Sequence, residues 1–140
     1  MRRTITVPGE PRGKGRPRFG NGRTYTDAKT RDYEMLVRGC WLRSTGRLDY
    51  APYPGPVRVS IRAAYKIPQS ASKAKRRDML EGRIRPTKKP DADNIAKAIL
   101  DGLNGVAWAD DTQVVELSVV KLYSGEPCVV VEVESVEAGY

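Results

Sequence analysis

Residues 91–122 read DADNIAKAILDGLNGVAWADDTQVVELSVVKL, and this stretch decides the fold. Its first part predicts an amphipathic helix over about 91–104, because apolar residues recur there at helical spacing. These apolar positions are Ile95, Ile99 and Leu103. Its last part, 112–122, is rich in β-branched residues and predicts a strand. A helix followed directly by a strand indicates a fold that contains both kinds of element.

Outside this stretch, hydrophobic periodicity and capping residues predict five further elements. They are a strand at 4–7, a helix from Thr26 or Asp27 to about Arg43, a strand at 57–63, a short helix that starts after Ser70 or Ser72 and ends near Gly82, and a strand at 127–136. Residues 11–26, rich in Gly, Pro and Arg, predict a loop or an irregular hairpin. The last two strands are expected to form a hairpin around a turn at 124–127. We therefore predict an α+β fold in which residues 1–140 form one domain, with a mixed or antiparallel sheet and helices packed on it.

The charge of the chain is strongly positive and unevenly distributed. The formal net charge is +8, with 30% charged and 39% hydrophobic residues, a composition that argues against a disordered chain. Basic residues dominate 1–31, whereas glutamates outnumber lysine in 112–140. A basic excess confined to particular segments indicates an acidic partner such as nucleic acid. The competing explanation is a generally basic, soluble protein.

Cysteine, histidine and hydropathy exclude several classes of protein. Two cysteines, Cys40 and Cys128, make neither a disulfide scaffold nor a CxxC metal site, and both are expected to be free thiols. The chain has no histidine, which excludes histidine-based acid–base catalysis and the usual zinc sites. No apolar run approaches the ~20 residues that span a bilayer, and the first residues lack the apolar core of a signal peptide. We expect a cytoplasmic protein with no membrane partner.

Five aspartates and one lysine lie close together in the sequence between residues 90 and 111. They are Asp91, Asp93, Asp101, Asp110, Asp111 and Lys97. Carboxylates packed this closely repel one another unless a cation neutralises them, and Mg²⁺ prefers oxygen ligands of this kind. In a helix, Asp93, Lys97 and Asp101 would form one line along a single face. The ordinary alternative is that Asp91 caps the helix, that Asp93, Lys97 and Asp101 form salt bridges in solvent, and that Asp110-Asp111 is a turn.

The position of Asp111 suggests that the acidic residues form one pocket. If a strand begins at Asp111, that residue has the parity of Val115, Leu117 and Val119, the side expected to face the helices. Asp110 would point the other way. Asp111 could then lie beside the first turn of the helix, and two or three carboxylates there could hold Mg²⁺ together with substrate phosphate oxygens. Lys97 would act as a fixed positive charge at the scissile phosphate or help to position the nucleophile.

The string KPDADNIAKAILDGLNGVAWADDTQVVELSVVK resembles the signature region of the RusA family of Holliday-junction resolvases, which phages and prophages typically encode. The matching pattern runs from Pro90 to Val114: Pro-Asp-x-Asp-Asn, a lysine, Asp-x-Leu-Asn-Gly, and Asp-Asp-x-Gln-Val. The segments PGEPRGKGRPRF and RTYTDAKTRDYE also resemble this family. The resemblance implies a crossover junction endodeoxyribonuclease that acts in DNA recombination and repair.

The resemblance also implies roles for individual residues. Asp91, Asp93 and Asp111 would be the catalytic, metal-binding carboxylates for Mg²⁺ or Mn²⁺, and Lys97 the essential lysine. The partners would be four-way junction DNA and a second copy of the chain, since two symmetric nicks suit a two-fold homodimer. The residues expected to contact DNA phosphates are Arg12, Lys14, Arg16, Arg18, Arg23, Lys73, Lys75, Arg76, Lys88 and Lys89. Two alternatives are a catalytically inactive protein that binds branched DNA and a phosphoesterase acting on small substrates.

Overall fold

The computed structural model describes residues 1–15, 18–25, 27–46 and 51–137. Its elements are β1 (Arg2–Pro8), β2 (Arg18–Gly20), β3 (Arg23–Tyr25), α1 (Ala28–Ser44), β4 (Val57–Lys66), α2 (Lys73–Leu80), α3 (Ala92–Leu103), a 3₁₀ turn (Asp111–Gln113), β5 (Val114–Ser124) and β6 (Cys128–Ser135). They form a single α+β domain with a mixed sheet, as predicted. None of the helices in these ranges is long and apolar enough to cross a membrane.

The main sheet has the strand order β1-β6-β4-β5, in which β4 and β5 are parallel and the other pairs are antiparallel. The predicted hairpin of the last two strands is therefore wrong, because β4 lies between them. The chain from β4 to β5 passes through α2 and α3, and a connection of that length allows parallel pairing. Residues 125–127 then carry the chain past the end of β4, a distance of ~10 Å for two strand spacings.

Helices α1 and α3 form the other layer of the core. The sequence predicts an apolar stripe on α1 made of Tyr33, Leu36, Val37, Cys40 and Trp41, and all of these are buried except Leu36, which is partly buried. In α3, Ile95, Ile99 and Leu103 are fully buried and belong to the same cluster as the inward residues of β4 and β6. The two helices approach each other closely at Gly102, where an added Cβ would lie 2.9 Å from the Cβ of Val37.

Side-chain caps fix where the first two helices begin. Asp27 accepts a hydrogen bond from the Thr30 amide at 2.8 Å and starts α1. Ser72 does the same for α2 through the amide of Lys75. Both residues were among the predicted caps, and the physical reason is that each satisfies an amide that has no partner within its helix.

Strands β2 and β3 form a small separate hairpin within the glycine-rich segment. Asn21 and Gly22 at its turn have φ values of 52° and 73°, the backbone that a tight two-residue hairpin turn requires. Phe19 is 77% exposed. The hairpin therefore presents a large apolar side chain to solvent.

Candidate active site

The charged side chains at the start of α3 are exposed and make no hydrogen bond or ion pair within the described part of the chain. Asp91 occupies the N-cap position but makes no capping hydrogen bond, so its predicted capping role is wrong. Asp93 lies in the first turn and Lys97 one turn later, and all three residues are exposed. None of their side chains forms a hydrogen bond or ion pair with another described residue, so the salt bridges of the ordinary explanation are absent from these ranges. This arrangement leaves two carboxylates and an ammonium group available for a substrate or a cation.

The segment just before α3 is held to the sheet by Tyr65. The hydroxyl of Tyr65 donates a hydrogen bond to the carbonyl of Pro90 at 2.8 Å. Burial raises the pKa of Tyr65 to about 12, and the negative charges of Glu10 and Asp91 add to this effect. Tyr65 therefore remains a neutral donor at physiological pH and fixes the position from which α3 begins.

Asp101, further along α3, has a structural partner. Its Oδ2 lies 2.9 Å from the Nζ of Lys14, which is also 2.7 Å from Oε1 of Glu34 on α1. The backbone amide of Lys14 donates to the carbonyl of Asn94. Burial opposes the charge of Lys14, but the hydrogen bonds and charges of Glu34 and Asp101 outweigh it and raise the pKa of Lys14. Lys14 therefore ties the N-terminal loop to both helices.

Asp110 and Asp111 differ in their surroundings. Asp110 starts the 3₁₀ turn in a capping box: its carboxylate accepts from the amide and hydroxyl of Thr112, while Gln113 accepts from the amide of Asp110. The hydrogen bonds from Thr112 lower the pKa of Asp110. Asp111 instead accepts a 2.8 Å hydrogen bond at Oδ1 from the indole Nε1 of Trp108, which is fully buried.

The carboxyl group of Asp111 has a raised pKa. Its partial burial is the main cause, and the charges of Asp101 and Asp110 act in the same direction, whereas the hydrogen bond from Trp108 opposes them. A nearby cation would relieve this unfavourable charge. The role of Trp108 was not predicted, although a tryptophan three residues before an aspartate in a tight turn is a local signal that could have indicated it.

The predicted strand start at Asp111 is wrong, and so is the parity argument that depended on it. Asp111 belongs to the 3₁₀ turn, and β5 begins only at Val114. An irregularity in the β4–β5 register leaves Val115 without a partner, which breaks the alternation. Val115 and Leu117 are 56% and 46% exposed, so neither is buried beneath the helices.

The candidate carboxylates Asp91, Asp93 and Asp111 are oxygen ligands of the kind that Mg²⁺ binds, but they do not form a preorganised metal site. Within the described ranges, no three Asp, Glu, Cys or His side chains lie close enough together to hold a metal ion. Mg²⁺ in nucleic-acid enzymes is commonly bound by only one or two carboxylates, with waters and substrate phosphates completing its shell. Asp91 and Asp93, which have no internal partners, match that requirement, and all candidate ligands are hard oxygen donors.

The predicted DNA-contacting residues fall into three groups. Those on exposed or partly exposed surface are Arg12, Arg23, Lys73, Lys75, Arg76, Lys88 and Lys89. Lys14 is engaged in the ion pairs with Glu34 and Asp101. Arg16 and the side chain of Arg18 lie outside the described residues. The ammonium group of Lys88 also lies 5.9 Å from the ring centres of Tyr65 and Tyr123, which keeps it next to the segment that leads into α3.

Comparison with known proteins shows the family to which the chain belongs. The model of the family described as Endodeoxyribonuclease RusA matches residues 8–134. The chain is also similar to the uncharacterized protein YqaN of Bacillus subtilis (strain 168), with 37% identity over 140 residues and 96% of each chain covered. The name of this relative assigns no activity, so the functional information comes from the family match.

Proposed function

Because the chain belongs to the RusA family of endodeoxyribonucleases, we propose that it is a Mg²⁺-dependent enzyme that resolves four-way DNA junctions by paired symmetric nicks. The observation that carries the proposal is the contrast within one motif. The side chains of Asp91, Asp93 and Lys97 have no hydrogen bond or ion pair to another described residue, whereas those of the neighbouring Asp101 and Asp110 are engaged in stabilising the fold. Two carboxylates close together at one helix start and unpaired among the described residues, on a chain with a net charge of +8, are the hard oxygen ligands that Mg²⁺ uses together with substrate phosphates.

In this proposal Asp91, Asp93 and Asp111 hold Mg²⁺, for which Mn²⁺ can substitute. When bound, the cation supplies Lewis acidity that activates water and neutralises charge at the phosphorus atom. The indole of Trp108 fixes the orientation of the Asp111 carboxylate, which leaves Oδ2 directed away from that hydrogen bond. Lys97 supplies a fixed positive charge for the scissile phosphate, and no residue has to act as a histidine-like base.

The substrate and the assembly follow from symmetry and charge. A four-way junction needs two cuts in strands of like polarity, and one subunit carries one acidic site, so we propose a two-fold homodimer. The basic residues around the acidic site would hold DNA phosphates without reading sequence. Binding should therefore weaken steeply as salt concentration rises. A phage or prophage origin and a role in recombination and repair are part of the same proposal.

A second candidate is a protein that binds branched DNA without cutting it. The observation that favours it is the absence of a three-acid cluster in the described ranges. The observation against it is that Asp91 and Asp93 are exposed carboxylates, which would only repel phosphate in a pure binding protein. The two candidates differ in one measurable property, the release of nicked product.

The test uses a synthetic four-way junction and a matched linear duplex, each incubated with the protein in Mg²⁺ or in EDTA. We expect paired symmetric nicks in the junction alone, and only with Mg²⁺. Asp93→Asn should retain junction binding and lose at least ~100-fold in cleavage rate. Asp32→Asn, the same change at an exposed aspartate of α1, should cleave normally. Undiminished cleavage by Asp93→Asn would refute the assigned site, and binding without product in both Mg²⁺ and Mn²⁺ would establish the second candidate.

A further inference from the structure

A cleft of about 710 Å³ opens between the N-terminal loop, the start of α1 and the segment before α3. Its volume lies within the range of pockets that hold small organic ligands. One wall is formed by Pro90, whose neighbour in the chain is Asp91. The cleft therefore lies next to the acidic start of α3 but does not include its carboxylates.

The rim of the cleft is basic. Arg12, Lys29 and Lys89 line it and are all exposed, so their charged groups are free to reach an anion at its mouth. The only acidic residue among the described lining residues is Asp27, and its carboxylate accepts the amide hydrogen of Thr30 at the start of α1. The rim thus favours a ligand that carries negative charge.

The interior of the cleft is largely apolar. Pro11, Tyr33, Pro90 and Ala98 line it, and the exposed Ala28 lies at its edge. The hydroxyl of Tyr33 is buried beside Arg12, whose charge and backbone amide both act on it, but it makes no hydrogen bond of good geometry with a described residue. An apolar interior below a cationic rim fits a ligand that combines a flat, weakly polar ring with a phosphate.

We propose that this cleft receives one nucleotide of a DNA strand, with its base unstacked and inserted and its phosphate held by Arg12, Lys29 and Lys89. The inference rests on the proposed function, since it supplies a place for a base that loses its stacking neighbour at a branch. Base contact with apolar and aromatic side chains is tolerant of sequence, because every base has the same kind of flat face. The bound strand would continue along Pro90 to the exposed carboxylates of α3.

The first experiment measures binding of a mononucleotide by NMR in EDTA, so that neither metal nor cleavage takes part. The uniformly ¹⁵N-labelled protein is titrated with thymidine 5′-monophosphate, thymidine or inorganic phosphate. We expect the monophosphate to shift the amide signals of Gly13, Gly15 and Lys29 and to bind at least ~10-fold more tightly than either fragment. Equal affinity for phosphate alone, or shifts located elsewhere, would overturn the proposal.

Two variants and a matched control locate the effect. Lys29→Gln should weaken binding of the monophosphate about three- to fivefold through the loss of one charge contact, and Ala28→Leu should block the cleft and abolish the shifts. Arg31→Gln makes the same charge change on the same helix turn but lies outside the cleft, so it should bind normally. Equal losses in Lys29→Gln and Arg31→Gln would show a general charge effect and refute the assigned cleft.

The second experiment asks whether the cleft acts on junction DNA. A four-way junction with 2-aminopurine at the branch point fluoresces more strongly when that base unstacks, and the wild-type protein should produce such a rise in EDTA. Ala28→Leu should bind the junction and reduce the rise at least twofold, whereas Arg31→Gln should not. An undiminished rise in Ala28→Leu would overturn the proposal. Junction cleavage is measured separately. If the protein cuts junctions but fails the nucleotide-binding and fluorescence tests, only the proposed role of the cleft is refuted. If it passes both tests but does not cut junctions, only the proposed nuclease function is refuted.

Discussion

The ammonium group of Lys14 lies 2.9 Å from the carboxylate of Asp101, and this ion pair joins the N-terminal loop to α3. Glu34 on α1 lies 2.7 Å from the same nitrogen. Lys14 therefore connects three segments that are distant in the sequence: the N-terminal loop, α1 and α3. The side chain of Lys14 is only 21% exposed, so solvent screens these contacts less than it would at the surface.

Lys14→Met should lower the free energy of unfolding by about 1–3 kcal/mol, because it leaves two partly buried carboxylates facing each other without a cation. Since the folded-state pKa of Lys14 is raised above 10.5, its stabilisation is complete at neutral pH and is lost as pH rises beyond that value. Urea unfolding at pH 7 and near pH 11 should show the gap between variant and wild type narrowing. Lys29→Met, at an exposed lysine with no ion pair to a described residue, should change little at either pH.

Asp111→Asn should raise thermal stability at neutral pH while it abolishes cleavage. The pKa of Asp111 is raised, chiefly by burial, so the folded protein disfavours its ionised form, and this cost develops as pH rises above the ordinary value of 3.8. Asparagine keeps an oxygen acceptor for Trp108 but carries no charge. Unfolding curves at pH 7 and pH 4 should show the advantage of the variant shrinking at the lower pH, and a less stable variant at pH 7 would contradict the prediction.

Gly102→Ala should destabilise the protein by about 1–3 kcal/mol, even though alanine is the better helix former. The added Cβ would lie 2.9 Å from two side-chain atoms of Val37 and 3.2 Å from the carbonyl oxygen of Glu34, where α3 packs against α1. Gly39→Ala on α1 is the control, because its new Cβ would meet only the flexible end of Arg43. That change should stabilise the protein by up to ~1 kcal/mol, and a denaturation series on both variants separates packing from propensity.

Tyr33→Phe and Tyr65→Phe each remove a phenolic hydroxyl, but we expect them to change the free energy of unfolding differently. The hydroxyl of Tyr33 makes no hydrogen bond of good geometry with a described residue, although the backbone amide of Arg12 is near it, so its removal should leave stability unchanged or slightly higher. The hydroxyl of Tyr65 donates to the carbonyl of Pro90, and its removal should cost about 1 kcal/mol. Chemical denaturation of the pair tests this directly, and equal losses in both would show that Tyr33 has a partner.

The sequence predicted those helices, caps and strands that depend on residues close together in the chain. The apolar stripe of α1, with Tyr33 and Trp41 among its members, follows from helical periodicity, and Ser72 follows from the need to satisfy free amides at a helix start. The alternation over residues 57–63 likewise predicted a strand, which the structure extends to Lys66. These features depend on residues within a turn or two of one another.

Contacts between segments that are far apart in the chain could not be predicted from the sequence in the same way. The insertion of β4 between β5 and β6 depends on pairing between segments far apart in the chain, and a turn between two strands is compatible with either arrangement. The hydrogen bond from Trp108 to Asp111 depends on a 3₁₀ turn where strand alternation was expected. For the site, the clustering of acidic residues indicated its location, whereas the division between engaged and unengaged aspartates required the structure.

The strand order also has a consequence for how the protein is made. Strand β6 pairs with β1 from Arg2↔Glu134 to Pro8↔Cys128 and with β4 on its other side, so it occupies the interior of the sheet although it follows all the other described strands in the sequence. A nascent chain on the ribosome therefore cannot complete its sheet until residues 128–135 have left the exit tunnel, and contacts of such large sequence separation form slowly. If the chain is the nuclease that we propose, its sheet and therefore its active fold would depend on residues 128–135 being available to pair.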